Sequence, residues 1–421
     1  MSQENRVFFK TFGCRTNIFD TSIMVENLNN FKIVDEVSQA DKIVINSCTV
    51  TNSADANVRQ FVNSMRKNHP EKEIIFTGCG TTTQGKKLLE SKKIDKLFPL
   101  SEKEKISRIL DTSSYQSDFD NLNFIDKTIV TDIIGKSRAF IKIQEGCNFK
   151  CSYCIIPSVR GNSRSYSIEH ILQQIRTLTQ QNFSEFILTG TNIGSFQIDE
   201  NSKYKKSRSD LAILLKEISK ISGVKRIRLG SVEPSQINNS EFLEITSERW
   251  LEKHLHIALQ YTDNEMLKIM NRKNRVESDL ELFSKLADKN FAIGTDFIVG
   301  HPFESEEIFK NGFENLKKFS LTHIHLFTFS PRDFTKSAEL MKQNRVDPKI
   351  SKERFAQIDD LIKNKNRAFQ EKIREKNIPL EVLFETQKDG LFYGLDQFFN
   401  PVYFKSDLDL TGKWQTIEHK L

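Results

Sequence analysis

The chain has 421 residues, of which 38% are hydrophobic and 28% charged, and its net charge is +6 at neutral pH. That length exceeds what one hydrophobic core usually holds, so two or three domains are expected. No apolar run approaches the length needed to cross a bilayer, which excludes a membrane-spanning protein and leaves a soluble globular one. The polar start Met1-Ser2-Gln3-Glu4-Asn5-Arg6 leads straight into a strand-like Val7-Phe8-Phe9 and is no secretory signal, so the expected location is the cytoplasm. In that reducing compartment clustered cysteines read as metal ligands rather than disulfides.

From Arg6 the pattern predicts a strand (Arg6 to Thr11), a helix (Asn17 to Leu28), a strand (Lys42 to Asn46), a helix (Ala54 to Asn68) and a strand (Glu73 to Thr77). Short apolar runs alternating with helical periods argue for an open parallel sheet. Cys14, Cys48 and Cys79 each follow one of those strands. Loops after the carboxyl ends of parallel strands line one crevice, so three cysteines far apart in sequence can converge there as one three-thiolate site. Gly13, Gly78 and Gly80 beside them let backbones approach closely. Taken singly, each cysteine reads as core, since free cysteine is among the most buried residues; their equivalent loop positions favour a shared site.

Periodicity is lost over Ser101 to Ile134, with a linker-like Asp111 to Ser117, and a new domain starts at Ser137 or Arg138. The predicted divisions are residues 1–130, 131–376 and 377–421. A strand from Ala139 to Gln144 delivers Cys147, Cys151 and Cys154, spaced C-x3-C-x2-C. A cubane iron–sulfur cluster takes four ligands, so three thiolates leave one iron open to something that is not protein. The alternatives are a structural zinc, which usually needs a second Cys or His pair that is not nearby, or incidental buried thiols. The next helix carries Ile168, Ile171, Leu172, Ile175 and Leu178 on one face. Strands follow at Glu185 to Leu188, Lys225 to Leu229, His254 to Leu259, Ala292 to Val299 and His323 to Phe329. Six βα units predict a partial TIM-type (βα)6 barrel with chemistry in the loops after the strands. His254, His256, His323 and His325 alternate along two strands and read as barrel packing.

A helical connector spans about Pro348 to Lys376, and Lys336 to Lys376 holds twelve Lys/Arg against seven Asp/Glu. Such a stretch suits phosphate contacts, as do smaller groups at Lys203 to Arg208 and Arg272 to Arg275, although a charged helix is also an ordinary solvated face. The tail predicts short strands at Leu380 to Glu385, Leu391 to Gly394 and Pro401 to Phe404, which suggest a small β-barrel.

These motifs resemble the radical S-adenosylmethionine (SAM) methylthiotransferases over nearly the whole chain. The resemblance rests on Thr11-Phe12-Gly13-Cys14-Arg15-Thr16-Asn17, Asn46-Ser47-Cys48-Thr49-Val50-Thr51 and Thr77-Gly78-Cys79, then on Cys147 through Cys154-Ile155-Ile156-Pro157 and Arg160-Gly161. Leu188 to Asn192, Ser231 to Pro234, His256 to Gln260 and Asp296 to Gly300 are similar to the family's barrel-strand motifs, and the tail to its TRAM domain. Two motifs depart from the pattern: Phe303 stands where the family usually has glycine, and Tyr261-Thr262-Asp263 replaces its Ser-Gly-Ser-like residues.

The resemblance implies two [4Fe-4S] clusters, one held by Cys14, Cys48 and Cys79 and one by Cys147, Cys151 and Cys154, with SAM on the open iron of the second. It implies that reductive cleavage of SAM gives a 5′-deoxyadenosyl radical that takes a hydrogen from an unactivated C–H bond, and that the first cluster delivers the methylthio group. The wording around Cys14 and Gln144 to Cys147 is most similar to the branch acting on N6-threonylcarbamoyladenosine (t6A) in the tRNA anticodon stem-loop. Sister branches act on isopentenyladenosine in tRNA or on an aspartate of a ribosomal protein. An electron donor such as flavodoxin or ferredoxin is implied as well. For cofactor contacts Tyr153, Gly190, Thr191, Asn192, Glu233 and Gln260 are expected, the last two for ribose or substrate or as supporting hydrogen-bond groups. The tail from Asn377 has four lysines against seven acids, which weakens its case as an RNA grip. A reading of another class is a non-catalytic RNA-binding protein with structural zinc.

Overall fold

The computed structural model describes residues 5–113, 115–133 and 135–418. Met1 to Glu4 of the polar start, Ser114 of the expected linker and Ile134 lie outside the described residues. Strands β1 (Asn5–Thr11), β2 (Phe31–Ile33), β3 (Lys42–Ser47), β4 (Glu73–Gly78) and β5 (Lys96–Leu97) form a parallel sheet ordered β2-β1-β3-β4-β5. Successive residues of a strand face opposite sides. Val44 and Ile75 accordingly join Met24 of helix Arg15–Glu26 in one core, while Ile43, Ile45, Ile74 and Phe76 join Val58 and Val62 of helix Asn52–Asn68 in another. The Thr51 hydroxyl starts that second helix by accepting from the Ala54 N–H. β2 and β5, of three and two residues, are too short to show periodicity and were not expected from sequence. The chain runs outward to opposite sides of β1 and β3, and that switch point opens a crevice at the carboxyl edge.

The next strands are β6 (Ala139–Glu145), β7 (Arg164–Ser165), β8 (Glu185–Gly190), β9 (Arg226–Leu229), β10 (His254–His256), β11 (Ala292–Val299) and β12 (His323–Thr328). β6, β8 and β9 are parallel neighbours, as are β10, β11 and β12. Parallel bridges Ile227–Leu251 and Val232–Ile257 join the two sets, so six parallel strands follow one another in chain order. The short β7 runs antiparallel on the outer edge of β6 and was also not expected. β10 ends earlier than its sequence predicts. Beyond it the Leu259 N–H turns to the Thr295 hydroxyl, and Gln260 takes a left-handed backbone at φ +65°. Outside the array, helix Ile168–Gln180 buries the apolar face read from sequence, each such side chain contributing about 1.5–3 kcal/mol.

Between Asp111 and Ala139 the described residues contain no helix or strand, yet the segment is no loose linker. Gln174 clamps Val130 by donating to its carbonyl at 2.7 Å and accepting from its N–H at 2.8 Å, and Asp126 is fully buried. Helix Pro348–Glu375 lies along β12 and β11 through Ile358 and Ile362. The tail forms β13 (Leu380–Lys388), β14 (Leu391–Leu395), β15 (Pro401–Lys405) and β16 (Trp414–Ile417), an antiparallel sheet ordered β15-β14-β13-β16. Among the described residues no pairing joins β15 to β16, so the sheet is open where a closed small barrel was expected. Trp414 fixes it to the central strands by donating to Ser184 Oγ at 2.9 Å under the Lys225 and Arg226 cations. No described helix is long and apolar enough to cross a membrane.

Candidate active site

Cys14 caps helix Arg15–Glu26 after β1, Cys48 follows β3, and Cys79 opens a short turn after β4, so all three cluster at one sheet edge as their spacing suggests. Gly13, at φ +90°, makes that approach possible: a Cβ there would lie 2.5 Å from Cys48 Cβ and 2.7 Å from its sulfur. Asn17 ties the same loops together by donating to the carbonyls of Phe12 and Ser47 at 2.8 and 2.9 Å. All three are free thiols; Cys48 and Cys79 are buried, Cys14 exposed. Burial pushes the Cys79 thiol up to about 12 although Arg160 works against the shift. The donor set is three soft ligands at one edge, which suits iron or zinc.

Cys147, Cys151 and Cys154 occupy the loop after β6, also as free thiols. Gly146, at φ +72°, has no room for a Cβ, which would strike the Asn162 carbonyl. Burial raises Cys151 and pushes Cys154 up to about 12. The expected cofactor loop lies against this triad. Thr191 Oγ1 accepts from the Gly146 N–H at 3.2 Å, the Asn192 N–H donates to Gln144 Oε1 at 2.8 Å, and Asn192 Nδ2 is 3.8 Å from Cys147 sulfur. Gly190 is needed where a Cβ would come 2.6 Å from the Gln144 carbonyl. Asn192 Oδ1 is buried without a protein partner, an acceptor left for a ligand. A [4Fe-4S] cluster with SAM fits these residues: three thiols in one loop and an unpaired acceptor beside them.

Tyr153 is half-buried, edge-on to His301 with ring centroids 6.5 Å apart. Glu233 holds Arg272 through two oxygens at 2.7 and 2.5 Å, and Arg272 Nη1 lies 3.8 Å from Cys151 sulfur, so Glu233 orients an arginine beside the triad. Gln260 anchors the end of its strand through its backbone, which bonds Asp296 and Ile298; its strained φ is of the kind that collects at functional sites. His254 stacks on Phe399 at 4.7 Å and meets His323 edge-on, which is the packing expected of the histidines. His256 and His325 depart from it: both rings converge on Asp296.

Sequence reasoning missed the joint between the triads. Arg160, in the helix after the second triad, donates to Cys79 sulfur at 3.1 Å, to Glu145 at 2.6 Å and to Asp20 at 3.1 Å. Lys142 pairs with Asp20 at 2.5 Å, and Lys103 with Asp126 at 2.8 Å. All six side chains are buried, three carboxylates against three cations. Burial alone would raise Glu145, yet Lys142, Lys103, Arg160 and Arg164 hold it down to about 2. On the opposite flank Arg332, after β12, bonds Asp55 at 2.6 Å and the hydroxyl of Thr49, next to Cys48, at 2.7 Å.

Two family patterns match: "Uncharacterized protein family UPF0004" over residues 6–99 and "Radical SAM superfamily" over residues 141–316. A solved structure of a radical SAM methyltransferase from Kitasatospora setae, TsrM with tryptophan and a SAM analogue bound, superposes with a TM-score of 0.60 at 12% identity, covering 80% of this chain and 76% of that one. The fold is therefore of the radical SAM type. A Helicobacter pylori protein with a provisional methylthiotransferase name is 50% identical over 98% of this chain and 96% of its own. The threonylcarbamoyladenosine tRNA methylthiotransferase MtaB of Aquifex aeolicus is 31% identical over 91% of this chain and 94% of its own. The chain belongs to the radical SAM methylthiotransferase family, near its MtaB branch. Membership makes it an enzyme and brings SAM and a [4Fe-4S] cluster as cofactors.

Proposed function

We propose that the protein adds a methylthio group to carbon 2 of t6A beside the tRNA anticodon, giving 2-methylthio-t6A. The observation that carries this reading is the pair of cysteine triads joined by Arg160, which brings two iron-binding edges to one substrate site. In this reading residues 1–130 carry a second [4Fe-4S] cluster on Cys14, Cys48 and Cys79. Residues 131–376 form the partial barrel whose Cys147, Cys151 and Cys154 hold the first, and 377–421 are a TRAM-like module. When bound, the radical cofactor supplies the power to break an unactivated C–H bond that acid–base chemistry cannot open.

The chain's own residues bind and orient. Gly190, Thr191 and Asn192 offer polar groups to the methionine part of SAM, the free Oδ1 of Asn192 among them. Glu233 fixes Arg272 against Cys151, Tyr153 walls the triad, and Gln260 sits at the strand end for ribose or substrate. The buried charges around Arg160 exclude water between the two edges. A flavodoxin or ferredoxin would supply electrons.

Mass spectrometry of tRNA nucleosides from a deletion strain tests the proposal: 2-methylthio-t6A should vanish and t6A accumulate. Loss of the methylthio derivative of isopentenyladenosine instead would assign the sister tRNA substrate, the activity named for a Thermodesulfovibrio yellowstonii relative 30% identical over 88% of this chain. An unmodified ribosomal aspartate with unchanged tRNA would assign the protein substrate, for which the acidic tail is the argument. Zinc without acid-labile sulfide in anaerobically purified protein would replace the enzyme reading with a structural one.

A further inference from the structure

We propose that His256, Asp296 and His325 form a metal site separate from both cysteine triads, holding one divalent first-row transition ion such as Zn2+ by two imidazoles and a carboxylate. The strand register builds it. Asp296 lies opposite His325 on β12, and His256 lies opposite Gly294, two residues before Asp296 on β11. Side chains two apart on a strand, and those paired across neighbouring strands, share a face. All three groups therefore project to the same side of three adjacent strands.

The donor atoms are at coordination spacing. Asp296 Oδ1 is 3.1 Å from His256 Nε2 and 3.3 Å from His325 Nδ1, and all three atoms lie within 4.8 Å of one another. Metal–nitrogen and metal–oxygen bonds of about 2.0–2.2 Å place neighbouring ligands roughly 3.0–3.4 Å apart. His256 carries a second, independent sign. It is 7% exposed, and its Nε2 aims into the cluster without a hydrogen-bond partner, the geometry to Asp296 being too poor for one. A buried imidazole nitrogen left unpaired is costly unless something occupies its lone pair.

The ring is also held in place. A Cβ on Gly294 would come 2.8 Å from His256 Nδ1 and 3.1 Å from His254 Nε2, so the strand leaves out a side chain where the two imidazoles stand. Access is open from the other side, since the His325 side chain is 61% exposed. It borders a groove of about 240 Å³ lined also by His254, His323, Asn366 and Phe399, through which an ion and its remaining water ligands can enter. Two nitrogens and one oxygen select zinc, iron or cobalt over the harder magnesium and calcium, which take oxygen alone.

The test uses the full chain with its iron–sulfur clusters assembled, so that the cysteines are occupied. Anaerobic equilibrium dialysis against Zn2+, with zinc and iron measured in the same sample, should give one zinc per chain and unchanged iron. Zinc-edge X-ray absorption should show nitrogen and oxygen ligands with imidazole scattering and no sulfur near about 2.3 Å. Asp296→Asn and His325→Gln should each weaken zinc binding at least about tenfold while iron stays constant. The mostly exposed His325 makes its variant the safe one should Asp296→Asn fail to fold. Absence of zinc, sulfur in its ligand shell, or undiminished binding by His325→Gln would each overturn the site.

Discussion

Arg160 Nε reaches Cys79 sulfur at 3.1 Å although 81 positions separate the two residues and they belong to different sheets. The same guanidinium spans Glu145, two residues before Cys147, so one side chain touches the neighbourhoods of both triads. A hydrogen bond to a ligating sulfur is one of the levers that set an iron–sulfur potential. Arg160 is thus a positioning residue for two sites at once.

Arg160→Lys keeps one charge but loses the planar fork that serves Cys79, Glu145 and Asp20 together. Methylthiolated product should fall at least about tenfold, an effect on the scale of losing a partner that orients a metal ligand, while iron content is retained. The redox potential of the N-terminal cluster, followed by electron paramagnetic resonance, should shift. An unchanged potential would reduce Arg160 to a purely structural bond. Arg160→Ala should cost about 3–5 kcal/mol of stability by stranding buried carboxylates.

Cys151→Ala should abolish SAM cleavage and leave the cluster on Cys14, Cys48 and Cys79 assembled, so iron falls by about half, one cluster per triad being expected. Iron and sulfide analysis with a 5′-deoxyadenosine assay reads both effects. Loss of all iron would make the triads one interdependent site.

The connector's contribution to tRNA binding is narrower than its charge count implies. Arg354 is buried against Glu304 and Glu306, and Lys365 caps helix Glu306–Lys318 by donating to the carbonyls of Lys317 and Phe319. Lys352, Lys363 and Arg367 remain exposed on one run of the helix. Reversing those three charges should weaken tRNA binding and lower the log–log salt slope by roughly 0.7–0.9 for each phosphate no longer neutralised, with SAM cleavage in the absence of tRNA unchanged. If removing the tail from Asn377 onward flattens the slope and the reversals do not, the terminal sheet holds the phosphates.

Phe303 sits at φ +68°, a left-handed backbone at the position where the family usually has glycine. That conformation costs an ordinary residue roughly 1–2 kcal/mol. Phe303→Gly should therefore leave the denaturation midpoint nearly unchanged despite losing a ring. Phe303→Ala, which loses the ring without gaining the freedom, should be the less stable by about 1 kcal/mol. The reverse order would mean that the ring's packing holds the turn.

The six cysteines were legible because their chemistry is carried by local spacing and by the position of loops after strands, both of which hydrophobic pattern reports. The Arg160 joint was not, since a charged residue in a sequence reads as surface until its partners are known, and Asp20 and Glu145 come from different sheets. One signal was present: Lys142 stands between Ile141 and Ile143 in a strand buried along its whole length, where a lysine requires a buried carboxylate. The His256 and His325 convergence was hidden for a related reason. Alternation along a strand fixes the face of each histidine, while the register between β11 and β12 that sets Asp296 opposite His325 is a long-range fact.

The buried charges shared by Asp20, Lys103, Lys142 and Arg160 bear on how the protein is made. Synthesis delivers Asp20 and Lys103 well before Lys142 and Arg160, and the pair approaches to only 3.9 Å with neither satisfied by the other alone. A nascent N-terminal half cannot dehydrate that surface until β6 has left the ribosome, so its last folding step waits on its successor. A gene fragment ending before Ala139 should accordingly yield a product with an unfinished face, and exchange of this half between relatives succeeds only when the matching β6 and its arginine travel with it.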